Sequence, residues 1–248
     1  MSLITPPKAY KILTVTRLPP RKSGPVVDLS AFKEPPYAFF TAALFFAIWG
    51  VYYTFYYVSA YPHLHESHCK QRLTLDHIQV ASFGVEKAGL QYTSSTILII
   101  VINGVGVPAR ILPGFFADKV GQMNMFFPAV CCLTVVAYSW LAVDSLVGLY
   151  VFTCFYGLMS AAFQGIVPST VASLTPNLSM VGTRLGMAFS TLSFAALTGP
   201  PLGGALQSAM GGSYVGASIW AATSMLIAAF LVGAARVAKA GWKPMAKC

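Results

Sequence analysis

Of the 248 residues, 56% are hydrophobic and 9% charged, against about 25% charged in a typical soluble domain, and a single water-facing core cannot hide that much apolar sequence. The formal net charge of +9 raises nucleic acid as a partner, yet the 16 basic residues form no patch with interleaved aromatics and follow a membrane-topology pattern instead. Cys131, Cys132 and Cys154 fall in apolar segments, which speaks against a disulfide framework.

Residues 1–37 are polar, carry prolines and lack a central apolar run, so no signal peptide is expected and the first apolar segment serves as the insertion signal. The stretch reads as a solvated arm, with Pro19-Pro20-Arg21-Lys22-Ser23-Gly24 as a flexible linker and Pro35-Pro36 as a break before the first span. Six windows then reach the roughly 20 apolar residues needed to cross a hydrocarbon core of about 30 Å. They run near Ala38 to Val58, Ser95 to Phe116, Asn124 to Val143, Leu146 to Ala172, Leu185 to Ala209 and Ser213 to Ala235.

Between the first two windows, His63, His65, His68 and His77 cluster with Cys69, and these are plausible metal-ligand types. An extracellular loop with weak metal affinity is one reading. The other is that Val58 to Gln79 is a retained intron, because the codons for Val58-Ser59, Leu73-Thr74 and Gln79 can spell short fungal splice signals and joining Tyr57 to Val80 leaves a short loop. No metal or other cofactor is assigned on this reading.

The second window holds Arg110, the only charged side chain inside any of the six. A lone intramembrane charge is costly and by default faces a cavity, a substrate or a partner group. Snorkelling to the interface, or pairing with Asp118 two turns on, is the alternative. Asn103 lies seven residues before Arg110 and therefore on the same helical face. Gln164, Thr198, Gln207 and Tyr52, Tyr53, Tyr56 and Tyr57 are further polar groups in or near the spans, read as interhelical contacts, an interfacial belt or a cavity wall. Small residues recur where spans pack closely, at Gly104/Gly106, at Gly157/Ser160/Ala161 and in the run Gly199-Pro200-Pro201-Leu202-Gly203-Gly204. The proline pair is either a packing kink or a gating hinge.

If the spans alternate, Lys8, Lys11, Arg17, Arg21, Lys22, Lys33, Lys119, Arg184, Arg236, Lys239, Lys243 and Lys247 share one side, against Lys70, Arg72 and Lys87 on the other. Both termini are then expected to be cytoplasmic.

The segment Gly114-x-x-x-Asp118-Lys119-x-Gly121 is similar to the cytoplasmic loop motif of the major facilitator superfamily, with Gln122 in place of the usual second basic residue. Glycines permit a tight turn and close helix approach, while Asp118 and Lys119 can pair or cap helix ends. With Asn103-Gly104, Ala109-Arg110-Ile111-Leu112-Pro113-Gly114, Asn124, Gly182-Thr183-Arg184-Leu185-Gly186-Met187 and Leu197-Thr198-Gly199-Pro200-Pro201, the chain resembles the C-terminal half of a fungal monocarboxylate-porter-like transporter of that superfamily.

The resemblance implies an all-α membrane protein, with six transmembrane helices forming one half-bundle of a major facilitator fold. Residues 1–37 would correspond to the central loop of a full-length carrier, 38–236 to the bundle and 237–248 to a cytoplasmic tail. It further implies secondary transport of a small organic anion by alternating access, with Arg110 on the substrate carboxylate and Asn103 as a second cavity residue. Gly114, Asp118, Lys119, Gly121, Arg184, Gly199, Pro200 and Pro201 would serve the conformational change. Animal members carry an acidic residue where Gly106 stands, and no acidic residue lies in any span, so no proton carrier is evident.

A homodimer or a missing N-terminal half would complete the pathway, and the plasma membrane is the family expectation. A truncated, non-transporting remnant is the alternative function. An enzyme is not expected, because the spans hold no nucleophile and base pair, haem-ligand pair or acidic cluster.

Overall fold

The computed structural model describes residues 25, 27–67, 93–143 and 146–241. Six long helices dominate: α1 (Pro35–Ser67), α2 (Thr93–Val120), α3 (Gln122–Ser139), α4 (Leu146–Ser173), α5 (Val181–Ala209) and α6 (Tyr214–Ala240). All six are long and apolar enough to cross a membrane, and the chain is a multi-pass membrane protein. Short 3₁₀ turns at Leu29–Lys33, Trp140–Ala142 and Leu178–Met180 sit at their ends.

Five of the helices begin and end within about five residues of the expected positions, whereas α1 runs nine residues past the expected Val58. Pro35 and Pro36 do not break the chain before α1; they form its first turn. Proline costs nothing there, because its missing N–H has no intrahelical partner to lose. Within α5 the helix continues through Pro200 and Pro201, and α2 likewise through Pro108 and Pro113.

Packing follows a repeated plan. α1 packs mainly on α5 and α6, α4 packs mainly on α2 and α3, and α3 meets α6 between the two groups. Exchanging α1–α3 with α4–α6 reproduces the same neighbours, the pattern of an inverted repeat. Because lipid is as apolar as leucine, such contacts depend on close approach, and small residues supply it. A Cβ on Gly157 would lie 2.9 Å from the Ile102 carbonyl oxygen, and one on Gly165 would lie 2.7 Å from that of Arg110. Between them Ala161 faces Gly106, where an added Cβ would come within 3.1 Å. Gly157, Ala161 and Gly165 thus form a seam four residues apart that seats the middle of α2 on α4. Gly104 was expected to pack as Gly106 does. It meets nothing within 4 Å, because it lies on the open side of α2.

On the other half, Gly50 lies under Ala221 and Met225 of α6, and Gly199 lies under the Trp49 backbone of α1. Tyr156 of α4 crosses to donate to the Val51 carbonyl at 3.1 Å, tying the two groups together.

The last ten residues of the arm are docked, contrary to the solvated arm expected for them. Asp28 is 7% exposed, and Ala31 and Tyr37 are fully buried. The histidine cluster falls largely outside the described residues: the backbone is helical through Ser67, and His68, Cys69 and His77 lie beyond it. Among the described residues, no three metal-ligand side chains come together.

Candidate functional site

α2 and α5 are the helices least covered by the bundle, with 28% and 22% of their membrane windows buried. On α2 the uncovered face runs through Asn103, Val107 and Arg110, while Ile102, Gly106 and Ala109 turn inward. The seam with α4 accounts for this arrangement, because it grips the α2 backbone at Arg110 and leaves the guanidinium on the other side, exposed.

Arg110 has no ion-pair or hydrogen-bond partner among the described residues, and the pairing with Asp118 considered as its alternative is not formed. Asp118 instead accepts from Gln122 Nε2 at 3.0 Å. Asn103 is exposed and donates to the Ile99 carbonyl of its own helix at 2.9 Å. Two helical turns separate the two residues, about 10 Å along the axis.

The loop motif between α2 and α3 separates into distinct jobs. Gly121 has φ 105°, a backbone conformation that suits glycine, and its carbonyl accepts from Met125 to start α3. A Cβ added at Gly114 would meet no neighbour within 4 Å, so no close approach in this bundle requires a glycine there. Lys119 is exposed and forms no ion pair with Asp118 among the described residues. Gln122 bridges three elements: it donates to Asp118 and accepts from Ser169 of α4 at 2.8 Å. A lysine or arginine in its place has no acceptor to offer Ser169.

The same end of the bundle holds further ties. Arg236 of α6 donates to Asn124 Oδ1 at 2.6 Å, and Lys239 donates to the Ser173 carbonyl at 2.9 Å. The start of α1 and the end of α6 therefore lie at one end of the bundle.

Arg184, expected as a loop charge, is the most enclosed cation described, at 5% exposure. Its Nε donates to Asp28 at 3.0 Å, and its terminal nitrogens donate to the two Glu34 oxygens at 2.8 and 2.6 Å. The Tyr37 hydroxyl donates to the Arg184 carbonyl at 2.8 Å, and the guanidinium lies 5.5 Å from the Tyr37 ring centre. A cation in the first turn of a helix opposes the helix dipole, so the two carboxylates offset an otherwise unfavourable placement. The Ser30 hydroxyl, and then Arg184, hold the Asp28 carboxyl below its ordinary value, and hydrogen bonding to Arg184 does the same for Glu34. Sequence reasoning missed Asp28, Glu34 and Tyr37. The available signal was that Asp28 and Glu34 are the only acidic residues ahead of α1.

The proline pair of α5 stands beside an aromatic contact. Trp49 Nε1 donates to Thr198 Oγ1 at 2.8 Å, and a Cβ on Gly203 would strike the Tyr53 ring. Gly199 and Gly203 thus act here as packing residues against α1.

No family model matches the chain. An MFS-type transporter of Gibberella zeae is 36% identical over 88% of the chain. The aspyridones efflux protein apdF of Emericella nidulans is 27% identical over 89%, and the agnestins efflux protein AgnL12 of Paecilomyces divaricatus is 28% identical over 86%. The matched part makes up 45%, 40% and 43% of these proteins, so the chain spans about half the length of the curated relatives it matches. Six membrane-length helices arranged as a repeat of three, carrying that loop turn and sharing their sequence with half of these transporters, belong to the major facilitator superfamily.

Proposed function

We propose that the chain forms the C-terminal half of a secondary transporter for small organic anions, working by alternating access. The observation that carries this reading is Arg110, an exposed guanidinium without an internal partner among the described residues, on the uncovered face of a membrane-spanning helix. A guanidinium can hold a carboxylate through two parallel hydrogen bonds, and that gain grows where water is excluded. Asn103 supplies a second polar contact, and a solute touching both must bridge about two helical turns. That span favours acidic metabolites larger than a simple monocarboxylate, and the efflux named for two relatives favours export.

A single bundle provides one wall of such a pathway. The uncovered faces of α2 and α5 support closure by a second six-helix bundle, either an N-terminal half or another copy of this chain. In this reading the Pro200-Pro201 segment of α5 bends during the cycle and Gly114, Asp118, Lys119 and Gly121 turn with it, while Arg184 holds the adjoining end. Cytoplasmic termini follow from the distribution of basic residues, and the plasma membrane is the expected location.

The test is export of a labelled organic acid from vesicles containing the chain with its completing bundle, comparing native protein with Arg110→Lys. Loss of flux with normal insertion supports the reading. Equal flux removes Arg110 from the site, and absence of flux in the native assembly favours a non-transporting remnant.

A further inference from the structure

The segment just ahead of α1 combines three properties that the transport reading does not use. It is fastened to the bundle, it turns apolar side chains outward, and its only acidic groups are paired with Arg184. Thr183 donates to the Pro25 carbonyl at 2.8 Å and the Asp28 amide points at the Met187 sulfur at 3.3 Å, so the strap follows the first two turns of α5. With 29 residues α5 is about 43 Å long, more than the hydrocarbon core of about 30 Å, which leaves its first turns and the strap at headgroup depth.

Val27, Leu29 and Phe32 are 56%, 72% and 42% exposed there, although Ala31 between them is fully buried. Lys33 is exposed beside them. Asp28 and Glu34 share the single charge of Arg184, which leaves one net negative charge among the three, and the exposed Lys33 offsets it. Lys8, Lys11, Arg17, Arg21 and Lys22 precede the strap in the sequence without another acidic residue among them.

From this we propose that the strap Val27–Lys33 is an interfacial anchor for anionic lipid, with Val27, Leu29 and Phe32 entering the headgroup boundary and the basic residues drawing acidic headgroups. Apolar burial and basic charge together are the two signals that hold a segment at a membrane surface. The Arg184 clasp sets the depth and direction of the strap. It also offsets one of the two carboxylate charges of an arm that carries six basic residues ahead of α1.

The experiment uses the full chain in vesicles, with its five native cysteines replaced by alanine and Leu29→Cys carrying an environment-sensitive fluorophore. Moving from neutral lipid to about one-third acidic lipid is expected to raise emission about twofold or more, and salt at about 0.5 M should reverse much of the rise. Replacing Arg21, Lys22 and Lys33 with glutamine should shrink the response while leaving the helical content unchanged. Equal emission in both lipids overturns the proposal: if bright, a protein partner covers this face, and if dim, the strap stands in water. A response that survives the glutamine replacements in full also overturns it.

Discussion

Arg184 and Arg110 both belong to membrane-length helices, and their surroundings are opposite. Arg184 is 5% exposed and bonded to two carboxylates with a tyrosine ring beside it, whereas Arg110 is exposed and bonded to none of the described residues. The first has every requirement of its charge met inside the chain, so it belongs to the architecture. The second has its backbone seated against Gly165 while its charge is left for something outside the bundle. An arginine's meaning in a membrane protein thus depends on where its counter-charge comes from.

The largest effect expected from breaking this contrast is on Arg184. Arg184→Met leaves Asp28 and Glu34 without a counter-ion and is expected to lower the unfolding midpoint more than any other replacement named here. Thermal unfolding of the purified chain in detergent should show it. Arg110→Met, by contrast, should change stability by no more than about 0.5 kcal/mol. An equal loss for both would end the distinction.

Transport should sort the two in the other direction. Replacing the Arg110 fork with a lysine removes one of two charge-assisted bonds, worth about 1.5–3 kcal/mol, and should weaken organic-anion affinity by about 10- to 100-fold. The concentration dependence of flux measures it in the completed assembly. Stability should be untouched.

Glycine replacements sharpen the picture at smaller scale. An alanine at Gly165 would bring its Cβ to 2.7 Å from the Arg110 carbonyl oxygen, forcing α2 and α4 apart at a cost of about 1–3 kcal/mol. Gly104→Ala meets nothing within 4 Å and should raise helix stability by up to about 1 kcal/mol. Both readouts are unfolding midpoints, and the two variants should move in opposite directions.

Much of this was legible in the sequence, and what was not has a common cause. Six spans follow from length and composition, and Arg110 followed from being the one charge among them. The Gly157 and Ala161 seam was visible as recurring small residues, although its partner surface was not, which is why Gly104 and Gly106 looked alike. The clasp escaped because its partners lie 156 and 150 residues before Arg184, and side-chain pairing across that separation leaves no local period to read. Gln122 looked like a weakened motif position until its two bonds showed why an amide suits it.

Acid provides the finest division between the two arginines. Carboxyls held below their ordinary range in the folded chain contribute stability that is present above the unfolded value of about 4 and fades as pH falls through the folded value. Asp28 and Glu34 are both lowered, so their contribution should be intact at neutral pH and at about pH 5, and should decline only in stronger acid. The stability gap between native chain and Arg184→Met is therefore expected to stay constant from about pH 7 to 5 and to narrow below about pH 4. A gap that closes already near pH 6 would mean that the carboxylates are not held by Arg184 in the way the geometry requires. Because no titrating group touches Arg110 among the described residues, the stability of Arg110→Met should track the native chain through the same range.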